Sequence, residues 1–88
     1  MRRRRRRLGF RVFPHGRDRV CYEELHGNQT RSIEIPAETL VAPQDTVFLP
    51  SPYQWQATMP DWARGRRDEI VARIQQELGT DKYTYAEC

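Results

Sequence analysis

No stretch of the 88 residues is apolar over anything like the roughly 18 positions that a membrane-crossing helix needs. A spanning helix is therefore not expected. The chain starts with a basic run but continues Leu8-Gly9-Phe10-Arg11-Val12-Phe13-Pro14, which lacks the continuous apolar segment of roughly 7 to 15 residues that an export signal carries. A cytoplasmic protein with no membrane partner is the expectation. Cysteine is scarce as well: Cys21 and Cys88 give neither a disulfide framework nor a metal-ligand spacing, and free thiols are the default in a reducing compartment. There is no Cys-x-x-Cys, no histidine pair at helical spacing and no glycine-rich loop opening a helix, so the common metal, redox and phosphate-binding motifs are missing. No cofactor is expected, and no enzyme.

With 38% hydrophobic and 31% charged residues, the composition is too apolar for wholesale disorder, yet it leaves little apolar surface to spare once a core is built. A chain of this length supports one modest core. The formal charge of +3 is unevenly placed. Six of the 15 basic residues are the run Arg2, Arg3, Arg4, Arg5, Arg6 and Arg7, and removing them leaves −3 for the rest. Like charges repel and bury nothing, so residues 1–7 are expected to form a disordered tail and residues 8–88 a single domain.

From Phe10 to Ile35 the chain alternates apolar and polar residues between turn-forming clusters, which predicts strands over Phe10 to Phe13, Arg19 to Leu25 and Thr30 to Ile35. Taking Gly27-Asn28 as a two-residue turn sets Tyr22 opposite Ile33, Val20 opposite Ile35 and Glu24 opposite Arg31 on one face, the last as an ion pair at its open edge. Cys21, Glu23 and Leu25 fall on the other face, which is mostly polar, as a one-sided antiparallel sheet requires. For the first hairpin, a three-residue loop His15-Gly16-Arg17 places Val12 opposite Val20 and Phe10 opposite Tyr22. A two-residue loop would turn Arg11 inward, at the high cost of a buried, unpaired guanidinium. Ala37 to Leu40 reads as a linking turn, Asp45 to Leu49 as a fourth strand, and Lys82 to Ala86 as a last strand returning to the sheet.

Pro50, Pro52 and Pro60 predict an extended, irregular segment between the fourth strand and a helix. The helix is expected to start at an N-cap Thr58 and to end at Gly79, with Trp62, Ala63, Ile70, Val71, Ile74 and Leu78 forming one apolar stripe. The fold class is thus α+β: a small antiparallel sheet of about four to five strands packed on one C-terminal amphipathic helix.

Candidate chemistry is sparse. Neighbouring strand residues point to opposite faces, so Glu23 and Glu24 cannot converge on a substrate. Asp68 and Glu69 sit among arginines and read as a solvated, salt-bridging surface. His15 and His26 fall in turns, and Cys21 lies mid-strand with no obvious base beside it. Two features point to partners. Tyr53, Trp55, Met59 and Trp62, carried by a proline-stiffened segment, have the composition of a protein-binding hot spot. The competing reading is that Trp55 and Trp62 staple the loop and the helix start onto the sheet as part of a small core. The Arg2 to Arg7 arm has the charge to engage nucleic acid, where six phosphate contacts make affinity fall about a thousandfold from low to moderate salt.

The order of parts adds a resemblance: Tyr22-Glu23-Glu24 at a strand end, Ile33-Glu34-Ile35-Pro36, Phe48-Leu49-Pro50 closing on Trp55, and Met59-Pro60-Asp61-Trp62 leading to Arg66-Arg67-Asp68-Glu69-Ile70. Over Arg19 to Leu78 this resembles small bacterial α+β proteins, some of them like the immunity proteins of polymorphic toxin systems. The resemblance implies tight, non-catalytic binding to a cognate protein. The chain is accordingly expected to be a protein-binding module, monomeric or weakly dimeric, that engages its partner through the Tyr53 to Trp62 segment or an exposed sheet edge. Nucleic-acid association through the arginine arm is the alternative.

Overall fold

The computed structural model describes residues 9–16, 18–38 and 45–87. Five strands, β1 (Phe10–Pro14), β2 (Arg19–His26), β3 (Gln29–Glu38), β4 (Asp45–Leu49) and β5 (Tyr83–Glu87), lie in that order across one curled sheet. Between β4 and β5 the chain forms three helices, α1 (Pro52–Thr58), α2 (Asp61–Arg64) and α3 (Arg67–Leu78). The protein is therefore α+β, with a mixed sheet and three helices in place of an antiparallel sheet and one helix. The expected arginine tail, the Thr39-Leu40 part of the linking turn and Cys88 lie outside the described residues.

The β2–β3 hairpin has the register that its turn and alternation predict, with Val20 opposite Ile35, Tyr22 opposite Ile33 and Glu24 opposite Arg31. Gly27 supplies the positive φ of the turn, at 65°. The first hairpin differs by two positions: Val12 faces Tyr22 and Phe10 faces Glu24. The His15 amide donates to the Arg19 carbonyl at 2.9 Å, so the ladder runs through Pro14 and closes one residue later than expected. A shift of two keeps every side chain on its face, and Phe10 and Val12 are buried all the same.

Pro36 to Glu38 continue β3 and do not turn. Ala37 and Glu38 pair with Val47 and Thr46 of β4, so β3 serves β2 along most of its length and β4 at its end. β4 and β5 run parallel. This follows from the connection, since a chain that leaves one strand and crosses the sheet face through helices re-enters in the same direction.

The proline-containing segment is helical because its prolines sit where a helix tolerates them. Pro52 occupies the first turn of α1, where its missing N–H removes no bond, and the Ser51 hydroxyl caps that turn by accepting from the Gln54 amide at 3.2 Å. Thr58 is the last residue of α1 and not the cap of the next helix; its hydroxyl donates to the Gln54 carbonyl. Gly65 and Arg66 interrupt the expected long helix between α2 and α3. Gly79, with φ 75°, closes α3 as anticipated.

One face of the sheet and one side of the helices make the core. Val20, Tyr22, Ile35 and Val47 meet Trp55, Ala63, Ile70 and Ile74, all essentially without solvent exposure.

Candidate functional site

The most concentrated polar chemistry lies where the end of β2 meets the helices. Glu24 points to the core face, and its side chain is only 8% exposed. Oε1 accepts from Arg66 Nη1 at 2.9 Å and faces His26 Nε2 at 2.8 Å. Oε2 accepts from the Tyr22 hydroxyl at 2.5 Å, Arg66 Nη2 at 2.6 Å and Arg73 Nη1 at 3.0 Å. Arg73 also donates to the Tyr22 hydroxyl, and its guanidinium lies 4.7 Å from the centre of the Phe10 ring. Glu69 holds both arginines from the solvent side.

Local structure explains the convergence. Tyr22, Glu24 and His26 alternate onto one face of β2. Arg66 occupies the break between α2 and α3, and Arg73 lies two turns along α3. Ion pairing therefore joins Glu24 to the helix layer and not to Arg31 across the ladder.

The electrostatics follow. Burial pushes the Glu24 carboxyl up, but hydrogen bonds from Arg66, Tyr22 and His26 outweigh it and hold the group down at about 2. Burial, then the bond to Glu24, pushes the Tyr22 phenol up to about 12. Hydrogen bonds to Glu24 and Glu69 hold the Arg66 guanidinium firmly protonated. An ionised carboxylate only accepts, so His26 Nε2 carries a proton and donates. Each oxygen of Glu24 is occupied, and among the described residues no buried side-chain nitrogen or oxygen lacks a partner. Such an arrangement clamps two layers together.

The four residues expected to form a hot spot do not share a surface. Trp55 is 1% exposed, and its indole donates to the Ala63 carbonyl at 2.8 Å, satisfying the end of α2. Met59 is buried beside it in the core. Trp62 is half-buried with its ring against His26, 5.1 Å between centres and edge-on. Tyr53 alone is open to solvent, at 81%. Arg2 to Arg7 lie outside the described residues.

Cys21 is buried on the other side of the sheet, opposite Phe13 and Glu34 in the ladder. Burial and then the charges of Glu23 and Glu34 push its thiol up, away from the reactive thiolate. His15 pairs with Glu34 on that side, while His26 faces the helices, so the histidines and Cys21 do not converge. Among the described residues no cluster of three potential metal ligands occurs.

That opposite side is the second candidate surface. No described helix lies over it. Arg11 pairs with Glu23 at 2.6 Å and Arg19 with Glu34 at 2.7 Å, and the Arg11 guanidinium sits 5.0 Å from the centre of the half-buried Phe13 ring. At its open end Leu25 is 49% exposed beside a groove of about 360 Å³ bounded by Gly9, Arg11, Glu23 and Thr30.

Comparison with protein-family models, with curated proteins and with solved structures finds no match.

Proposed function

We propose that this chain is a non-catalytic protein-binding module, with an immunity-type inhibitor of a cognate toxin as its specific form. The observation that carries this reading is the outer face of β1, β2 and β3, where fixed ion pairs surround Phe13 and exposed Leu25. Side chains already held by their neighbours lose less freedom when a partner arrives, which favours binding. An exposed leucine beside a groove supplies the apolar anchor that such surfaces use. The Tyr53 to Trp62 segment recedes as a contact surface, since two of its four residues build the core.

The test pairs the chain with the product of a toxin gene encoded next to its own. Co-expression is expected to protect cells from that toxin, and calorimetry with the purified pair should give a defined stoichiometry. Leu25→Glu should abolish protection and leave the melting temperature in place. Absence of binding by the wild-type chain, or full protection by Leu25→Glu, would overturn the reading.

The second reading, nucleic-acid association, rests on six consecutive arginines. Titration of duplex DNA and of RNA at two salt concentrations, with the full chain and with a chain lacking residues 2–7, decides it. Tail-dependent, salt-sensitive binding is the expected signature.

A further inference from the structure

The two edges of the sheet are not equivalent. At the β1 edge, Gly9 accepts from the Leu25 amide and the His15 amide donates to Arg19. Backbone groups alternate sides along a strand, so Gly9, Arg11, Phe13 and His15 turn toward β2, and Phe10, Val12 and Pro14 turn outward. Pro14 has no N–H to offer, and Arg73 reaches across from α3 to cover Phe10. These are devices that blunt an edge.

The β5 edge has no such device along its centre. The Asp45 amide donates to the Lys82 carbonyl at 2.9 Å, which directs Lys82, Thr84 and Ala86 toward β4. Tyr83, Tyr85 and Glu87 then present their N–H and C=O groups outward. The stretch Tyr-Thr-Tyr-Ala combines high strand propensity with no proline and no charge. Among the described residues no strand pairs with its outer side, away from β4.

We infer that β5 is a self-association edge, on which the β5 of a second copy of this chain adds antiparallel about a two-fold axis at Tyr85. The parity of the strand makes it self-complementary in this arrangement. A two-fold axis normal to the sheet matches residues of the same face, and the three outward residues are alternate ones. Tyr85 therefore meets Tyr85 of the other copy, and Tyr83 meets Glu87, each pair exchanging ladder hydrogen bonds. Between them Thr84 meets Ala86 on the outer face, as a non-hydrogen-bonded pair with side chains in close approach. No like charges face each other in this register. The aromatic Tyr85 pair and the two Tyr83–Glu87 pairs are favourable cross-strand neighbours, and the assembly becomes one continuous sheet with the helices of both copies on one side. The interface is isologous and closed, as most homodimers are.

Charge swaps at positions 84 and 86 read out the register. Thr84→Lys with Ala86→Lys places two lysine pairs across the axis, whereas Thr84→Lys with Ala86→Glu places two opposite-charge pairs there. Both variants lose the same Thr84 contacts to Thr46 and Asp45, so each controls for folding in the other. Sedimentation equilibrium of the full chain over a concentration series is expected to show a reversible monomer–dimer equilibrium. The lysine–lysine variant should weaken it by about tenfold or more, and the lysine–glutamate variant should bring it back to wild-type strength or beyond. A wild-type chain that stays monomeric at all concentrations overturns the proposal. So does equal dimerisation of the two variants, or a wild-type monomer that instead takes up an extended foreign peptide at this edge.

Discussion

The guanidinium of Arg66 grips both oxygens of Glu24, at 2.9 and 2.6 Å, from 42 residues further along the chain. This pairing fixes α3 to the end of the β2–β3 hairpin. Removing the carboxylate strands Arg66 and Arg73, each about 30% exposed, with Glu69 as their remaining counter-charge among the described residues. Breaking a buried pair costs about 3–5 kcal/mol, and the partial exposure of the arginines moves the expectation for Glu24→Ala to the lower end of that range. Urea denaturation of wild type and variant measures it. A loss under about 1 kcal/mol would show that the cluster is dispensable.

The same carboxylate sets an acid limit. Its folded value of about 2 lies below its ordinary 4.5, so its contribution is fully present above the ordinary value and is lost as pH falls through the folded one. Melting temperature should therefore decline between about pH 4.5 and about pH 2. Glu24→Gln should flatten this limb, leaving what Glu69, shifted in the same direction, still contributes.

On the alkaline side Tyr22 acts with the opposite sign. Its folded value of about 12 exceeds the ordinary 10.0, so its contribution holds below the ordinary value and falls as pH rises toward the folded one. Spectrophotometric titration of the phenols should show Tyr22 as a late-titrating tyrosine that is lost in Tyr22→Phe, while Tyr85, also pushed up by burial and then by Tyr83, remains in that variant.

Trp55→Ala and Tyr53→Ala should separate cleanly although the residues are near neighbours in one helix. The first empties a core site and frees the Ala63 carbonyl, a change that costs about 3–5 kcal/mol. The second removes a ring that is 81% exposed and should move stability by less than about 0.5 kcal/mol. Thermal melts of the two proteins check both.

Much of the sheet was legible in the sequence, and the reasons differ from element to element. Gly27-Asn28 and the alternation around Tyr22 agree on one β2–β3 register, since a one-residue slip would expose Val20 and Ile35. For β1 the pattern fixes the face alone, because shifts of two residues leave Phe10 and Val12 inward. The prolines misled in one direction: read as breakers, Pro50, Pro52 and Pro60 concealed that Ser51 and Pro52 start a helix whose Trp55 and Met59 lie one turn apart. The Glu24 cluster was hidden for another reason. Arg66 and Arg73 become its partners only through tertiary packing across 42 and 49 residues, and a register that sets Glu24 opposite Arg31 points to no partner on a helix.

The way β3 divides its length between two partners also orders how the molecule assembles. Its pairing with β2 closes over a turn of two residues, a contact that a searching chain finds in microseconds. The Thr46–Thr84 rung of the β4–β5 pair joins residues 38 apart, and such a closure must wait until entropy lost over a long loop is repaid. The meander therefore serves as the template, and Val47 stays uncovered on one side until the helices and β5 arrive. The last strand to join is also the one whose outer edge is left open.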